Sequence, residues 1–178
     1  MNPSQSMNGP RVLYEAKGLT KYFPVRNELF AKEKKFVHAV DNVSFSVAKG
    51  KTLGIVGESG CGKSTTAKLI ARLINPDSGK MVFDGDGVAE YGGIALKEFR
   101  KNLQMVFQDS FASLNPRLTI EQTIAYGPTV HGVSNAEASV QARALLQRVG
   151  LAPELFASRY PHELSGGQRQ RVNIARAL

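Results

Sequence analysis

The sequence predicts an α/β chain in two parts, and three observations carry that reading. Strand patterns dominate before Gln108, and helix patterns after it. A glycine-rich turn stands between an apolar run at 52–56 and a helical stretch opening at Lys63. Composition completes the argument: 178 residues, 42% hydrophobic and 21% charged, with 17 Gly and 8 Pro, suit a globular protein with a real core. That balance excludes a disordered chain, a collagen and a disulfide scaffold.

Taken in order, residues 11–16 (RVLYEA) and 43–48 (VSFSVA) alternate apolar with polar and read as half-buried strands. The charged stretch 26–38 between them reads as an exposed loop or hairpin. TLGIV at 52–56 suits a buried parallel strand. A helix is expected from Lys63 to about Ile74, then a turn at NPDSG (75–79) and a strand near 80–83. Residues 95–101 suggest a short helix, and LQMVF at 103–107 another buried strand. Beyond Gln108, Thr119–Gln122, Ser134–Glu137 and Ser165–Gln168 each pair a hydroxyl residue with Glu or Gln three positions on. Those spacings open helices at 120–126, 135–149 and 166–178, the second closed by Gly150. Residues 151–164 read as a connector. The expected parts are 1–107 and 108–178. RVNIARAL ends the chain with no helix stop signal, so the sequence is expected to be cut inside a helix.

No apolar run approaches the roughly 20 residues of a membrane span, and the start MNPSQSMNGPRV has no export-signal pattern. Cys61 is the single cysteine, so no internal disulfide forms, and a cytoplasmic location is expected. The net charge of +8 fits a solvated basic face, or nucleotide phosphate, nucleic acid or an acidic membrane as partner. Only Lys32, Lys34 and Lys35 cluster, and no basic arm is present, which argues against nucleic acid.

Gly57-Glu58-Ser59-Gly60-Cys61-Gly62-Lys63-Ser64 fits G-x-x-x-x-G-K-S/T. Glycines let successive N–H groups curl around phosphate oxygens, and the following helix aims its positive end at the same point. Lys63 is placed for the β- and γ-phosphates and the Ser64 hydroxyl for Mg²⁺. Cys61, in the same loop, is expected to alkylate readily and to be protected by bound nucleotide. Leu164-Ser165-Gly166-Gly167-Gln168 makes a second anion-seeking helix start, with Arg169 and Arg171 nearby. One chain with two such ends, about a hundred residues apart, is expected to use the second on a partner's nucleotide.

With these motifs the sequence resembles the ABC-type ATPase subunit of transporters. GESGCGKST (57–65) resembles its Walker A loop, VFQD (106–109) its Q-loop and LSGGQRQR (164–171) its signature, in the family's order. LTKYFPV, HAVDNVSF and FQDSFASLNPR resemble the oligopeptide and dipeptide importer branch, whose wording nickel, glutathione and sugar importers share in large part. The resemblance implies a P-loop NTPase fold: a RecA-like core with an antiparallel β subdomain, plus a helical subdomain. It implies that Phe23, or second Tyr22, stacks on adenine. The backbone of Gly57–Thr65 and Lys63 would hold phosphates, and Ser64 and Gln108 would ligate Mg²⁺. Gln108 would also sense the membrane subunit. Ser165, Gly166 and Gly167, with Gln168, would meet the γ-phosphate held by an opposing subunit. The implied assembly is a head-to-tail dimer of identical or sister ATPases, with two ATP between them. It would sit on transmembrane permease subunits at the cytoplasmic face of the membrane and be served indirectly by a substrate-binding protein.

The family pattern continues with an apolar strand ending in Asp-Glu (Walker B), a D-loop and a switch histidine, none of which occurs by Leu178. His38, His131 and His162 do not match the switch position, and Glu58 and Asp109 do not stand in for the glutamate. The Walker B strand would lie between the strands at 52–56 and 103–107. The isolated 178-residue chain is therefore expected to be marginally stable and to hydrolyse ATP slowly or not at all. A nucleotide-binding fragment without turnover, and a soluble ABC ATPase outside transport, are the alternative expectations.

Overall fold

The computed structural model describes residues 11–25, 35–88 and 93–178. Expectations placed on 1–10, on Lys32 and Lys34, and on most of the charged insertion lie outside the described residues. The chain divides into two compact units, residues 1–103 and 104–178.

The first unit is built on a four-stranded sheet of order β2-β1-β3-β4. β1 (Val12–Pro24) is central and pairs antiparallel with β2 (Phe36–Ala48) and β3 (Ser78–Phe83), while β3 pairs antiparallel with β4 (Asp86–Gly87). β1 and β2 run well past the alternating segments 11–16 and 43–48. Laddering on both edges of β1 carries the strand through Lys17 and Gly18, where the pattern breaks and the register shifts. β4 was not expected. Asp84 and Gly85, at φ 51 and 98, make the two-residue turn that leads into it. Two helices, α1 (Lys63–Ile70) and α2 (Leu96–Asn102), seat Leu69 and Phe99 against the sheet, where both are fully buried with Leu19. Each such side chain contributes about 1.5–3 kcal/mol by leaving water. Phe83 meets Phe99 edge-on at 5.5 Å between ring centres.

α1 ends at Ile70, short of the expected Ile74. Arg72 takes a left-handed φ of 51, and Leu73 N–H and Arg72 N–H close back on the carbonyls of Lys68 and Leu69. This is a Schellman stop with arginine where glycine is usual.

The two expected parallel strands do not form: residues 51–58 and 103–107 carry no strand pairing. Leu53, Ile55 and Val56 are 44%, 46% and 92% exposed. A five-residue apolar run becomes a strand only when a neighbouring ladder takes its N–H and C=O groups. Among the described residues none lies beside 52–56, so its backbone faces water. A groove of about 430 Å³ opens there, lined by Val43, Phe45, Leu53, Ile55 and Val56 and reaching Cys61, Lys63 and Thr66.

The second unit packs α3 (Ile120–Val130), α4 (Asn135–Arg148), α5 (Pro153–Phe156) and α6 (Gly166–Ala177). The short α5 and a 3₁₀ turn at Pro161–Glu163 fall inside what reads as connector. Its core joins Ile120, Ile124, Ala142, Leu146, Val172 and Ala175. The caps follow the sequence. Thr119 and Ser165 accept from the N–H three residues on and receive the reciprocal glutamine bond, whereas Ser134 makes only the first of these. Gly150, at φ 74, stops α4, with Leu151 N–H on the Leu146 carbonyl and Gly150 N–H on that of Gln147. Among the described residues no helix is long and apolar enough to cross a membrane.

Candidate nucleotide-binding site

In the first unit, Gly57–Gly62 forms a largely exposed loop that runs directly into α1, whose first turn carries Lys63, Ser64 and Thr65. Gly62 caps the helix at φ 97, and a Cβ there would fall 2.1 Å from the Ala39 carbonyl oxygen of β2. Only glycine lets the helix start lie so close to that strand. Nothing crowds Gly60, so the loop's outer curve is open. Lys63 Nζ bends back over the loop, donating to the carbonyls of Gly57 at 2.8 Å and Glu58 at 2.5 Å, and lies 3.6 Å from Cys61 Sγ. The first turn of α1 carries no acidic residue, so its positive end is unopposed. Ser64 is exposed at that turn, whereas Thr66 is buried and returns its hydroxyl to the Gly62 carbonyl at 3.0 Å. Cys61 is exposed.

Phe23 and Tyr22 sit at the end of β1 on opposite faces of the strand. Tyr22 is occupied: its ring stacks on His38 at 3.9 Å and its hydroxyl donates to Asp41 Oδ1 at 2.8 Å. Phe23 is 39% exposed and pairs with Val37, two positions before Ala39 on β2. One strand therefore positions both the Phe23 ring and the Gly62 cap.

The second unit holds Gln108, exposed at a bend, and the Ser165 end of α6. Ser165 Oγ accepts from Gln168 N–H at 3.3 Å, and Gln168 Oε1 accepts from Ser165 N–H at 2.8 Å. The cap uses one lone pair of the hydroxyl and leaves its O–H to donate outward. It also engages the Gln168 oxygen. Gly166 and Gly167 are exposed, and a Cβ on either would touch nothing. Arg169 and Arg171 are not free charges at this end. Arg169 Nη1 donates to the Leu164 carbonyl and its guanidinium lies 5.3 Å from the Phe111 ring, while Arg171 Nη1 donates to the Gly150 carbonyl at 3.4 Å.

Asp109, directly after Gln108, accepts from Phe111 N–H at 2.9 Å and Ala112 N–H at 3.0 Å. Those two bonds, Ala112's first, with Arg169 adding a smaller effect, hold its carboxyl below the ordinary value. Sequence reasoning missed Asn173 and Arg176, whose side chains bind the segment 110–113. The available signal was their helical spacing from Arg169, which puts three polar side chains on one stripe of α6.

The site residues present fit a nucleotide with magnesium: donors dominate, with loop N–H groups, Lys63 and hydroxyls available. A Mg²⁺ ion commonly takes only one or two protein oxygens and fills its shell with phosphate and water. Among the described residues no cluster of three or more His, Cys, Asp or Glu is arranged to hold a metal.

The oligopeptide transport ATP-binding protein AppF of Bacillus subtilis is 51% identical over 168 residues, covering 93% of this chain and 51% of that protein. A probable peptide ABC transporter ATP-binding protein, y4tS of Sinorhizobium fredii, is 47% identical over 167 residues, covering 93% and 47%. The glutathione import ATP-binding protein GsiA of Pectobacterium atrosepticum is 47% identical, covering 93% and 27%. The chain thus spans about half the length, or less, of these relatives. Among solved structures, the dimeric bacterial ABC transporter cassette MJ0796 superposes with a TM-score of 0.76 at 30% identity, covering 93% of this chain and 69% of that one. The same cassette in a post-hydrolysis dimer bound to ADP and Pi gives 0.75 at 29%. The ABC transporter family description matches residues 40–178, and with these relatives it establishes that the chain belongs to the ABC transporter family.

Proposed function

We propose that this chain is the nucleotide-binding part of an ABC importer's ATPase subunit, and that the whole protein couples ATP binding and hydrolysis to peptide uptake. The observation that carries the reading is the Ser165 end of α6. Two adjacent helical glycines cost about 1 kcal/mol each against alanine. Their Cβ positions are open, so this chain's own packing does not require them. Such bare backbone, beside a hydroxyl with its proton free, suits the close approach of an anion held by another subunit.

In this reading the units have separate tasks. Lys63 exchanges the Gly57 and Glu58 carbonyls for phosphate oxygens, and the Gly57–Thr65 amides orient the triphosphate. Phe23 offers a flat ring to the base, a contact that tolerates any purine. Ser64 and Gln108 supply oxygen to Mg²⁺. When bound, the nucleotide supplies the phosphoanhydride whose cleavage resets the assembly. Ser165, Gly166 and Gly167 receive the partner's γ-phosphate, which joins two ATPase subunits head to tail on the cytoplasmic side of their permease. Peptide cargo is favoured by the names of AppF and y4tS together with the FQDSFASLNPR wording.

The test uses the full-length subunit. Lys63→Ala is expected to weaken ATP binding by about ten-fold or more, the loss of a charge-assisted bond set. Nucleotide is expected to slow Cys61 alkylation in the wild type and to lose that effect in the variant. Unchanged affinity, with labelling indifferent to ATP, would overturn the assignment.

A further inference from the structure

The segment following Gln108 and the helix starting at Ser165 meet along a polar seam whose functional meaning rests on the reading just given. Arg169, Asn173 and Arg176 stand at i, i+4 and i+7 of α6, so one stripe of the helix carries all three. Each reaches the segment 107–113. Arg169 lies against the Phe111 ring. Asn173 is fully buried; its Nδ2 donates to the Ser110 carbonyl at 3.3 Å, and its Oδ1 accepts from Ser113 Oγ at 3.0 Å. Arg176 Nη1 donates to the Ser113 carbonyl at 2.6 Å, and its guanidinium lies 5.9 Å from the Phe107 ring.

Asparagine at this place is not needed to make a helix. Its propensity is poorer than alanine's, and its neighbours Val172 and Ala175 are apolar core. Burying an amide costs free energy unless it is hydrogen-bonded. Here its Nδ2 and Oδ1 both bond to a segment that has turns but no helix or strand of its own. Asp109 holds the same segment from within by accepting from Phe111 and Ala112. The segment is therefore located by α6, with no ladder of its own to hold it.

We propose that Asn173, assisted by Ser113 and Arg176, is a positioning residue that locks residues 107–113 to the signature helix, so that the Gln108 segment and the Ser165 end move as one piece. Engagement of a γ-phosphate at Ser165 then displaces the segment next to Gln108, and a membrane subunit pressing on that segment shifts Ser165. Asn173 and Ser113 bond to each other and to the Ser110 carbonyl, and neither is among the residues assigned above to nucleotide, so their loss uncouples the two ends without removing a ligand.

The experiment uses the full-length subunit assembled with its membrane subunits in lipid, stimulated by binding protein saturated with trialanine. Asn173→Ala and Ser113→Ala are each expected to keep the basal ATPase rate and the KM for ATP within about two-fold of wild type. Stimulation by the loaded binding protein is expected to fall about five-fold or more. The double variant should be no worse than Asn173→Ala, because the Asn173–Ser113 bond that Ser113→Ala removes is already lost in Asn173→Ala, and Arg176→Lys should retain most stimulation. Hydrogen exchange at 108–115 should quicken about ten-fold in either single variant. Stimulation retained in both, basal and stimulated rates falling by one common factor, or unchanged exchange would overturn the proposal. If Asn173→Ala fails to assemble, Ser113→Ala probes the same bond from its more accessible end. A wild-type complex that shows no stimulation counts against the transport reading instead, and the exchange measurement still decides the seam.

Discussion

Asp77 shows how one side chain can anchor a turn to a sheet. It accepts from Lys21 Nζ at 2.6 Å and from Tyr22 N–H at 2.7 Å, while its own N–H donates to the Thr20 carbonyl at 2.8 Å. The NPDSG turn is thereby pinned to the part of β1 that also carries Phe23. Lys21 first, then the Tyr22 amide, hold this carboxyl below its ordinary value of 3.8, against a smaller opposing effect of burial. A depressed carboxyl stabilises the fold at pH values above its unfolded-state value, and that contribution is lost as pH falls through the lower folded-state value. Asp77→Asn should therefore lower the melting temperature near neutral pH and have little effect well below the ordinary value of 3.8. Melting curves of both proteins that stay a constant distance apart through the acid range would contradict this. The sequence announced the turn from Asn75, Pro76 and Gly79, but the cross-strand partners of Asp77 could not be read, since Lys21 and Tyr22 lie more than fifty positions away.

Helix ends were legible where the residue at the stop is the one that a left-handed conformation favours. Gly150 ended α4 where expected; Arg72 ended α1 unannounced, because the hydrogen-bond pattern is the same but the residue is not glycine. A non-glycine residue at such a φ costs about 1–2 kcal/mol. The difference gives a paired prediction. Gly150→Ala should destabilise by about 1 kcal/mol, because it forces a Cβ into φ +74. Arg72→Gly should be neutral or stabilising, since it relieves φ 51 and removes a buried Nε with no hydrogen-bond partner. The contact of Arg100 Nη2 with the Arg72 carbonyl is made to backbone, so it survives. Chemical denaturation of the two variants checks both signs, and a destabilised Arg72→Gly would show that side-chain packing outweighs backbone strain there. The same contrast governs the caps: Thr119 and Ser165 are readable because their bonds span three residues, while the Asp84-Gly85 turn leads into a strand of two residues, too short to show an alternating pattern.

At the scale of the whole molecule, the sequence pattern and the fold part company at the two apolar runs. TLGIV and LQMVF have the composition of buried parallel strands, yet a strand is a relation between segments, and within residues 11–25, 35–88 and 93–178 nothing pairs with them. The antiparallel sheet and the helical unit were legible because their partners lie within the same stretch of chain. The resemblance expects an apolar strand ending in Asp-Glu between the two runs, and the curated relative AppF is about twice the length of this chain. The consequence is physical: Leu53, Ile55 and Val56 line the 430 Å³ groove and offer both apolar surface and unpaired backbone. The 178-residue chain alone should therefore self-associate with rising concentration through this face. Val56→Lys, at 92% exposure, should shift light scattering toward the monomer, whereas Val140→Lys, at 68% exposure on α4, should not. A longer chain that carries the expected strand should scatter as the Val56 variant does. Equal self-association in all three would mean that the groove is not the contact.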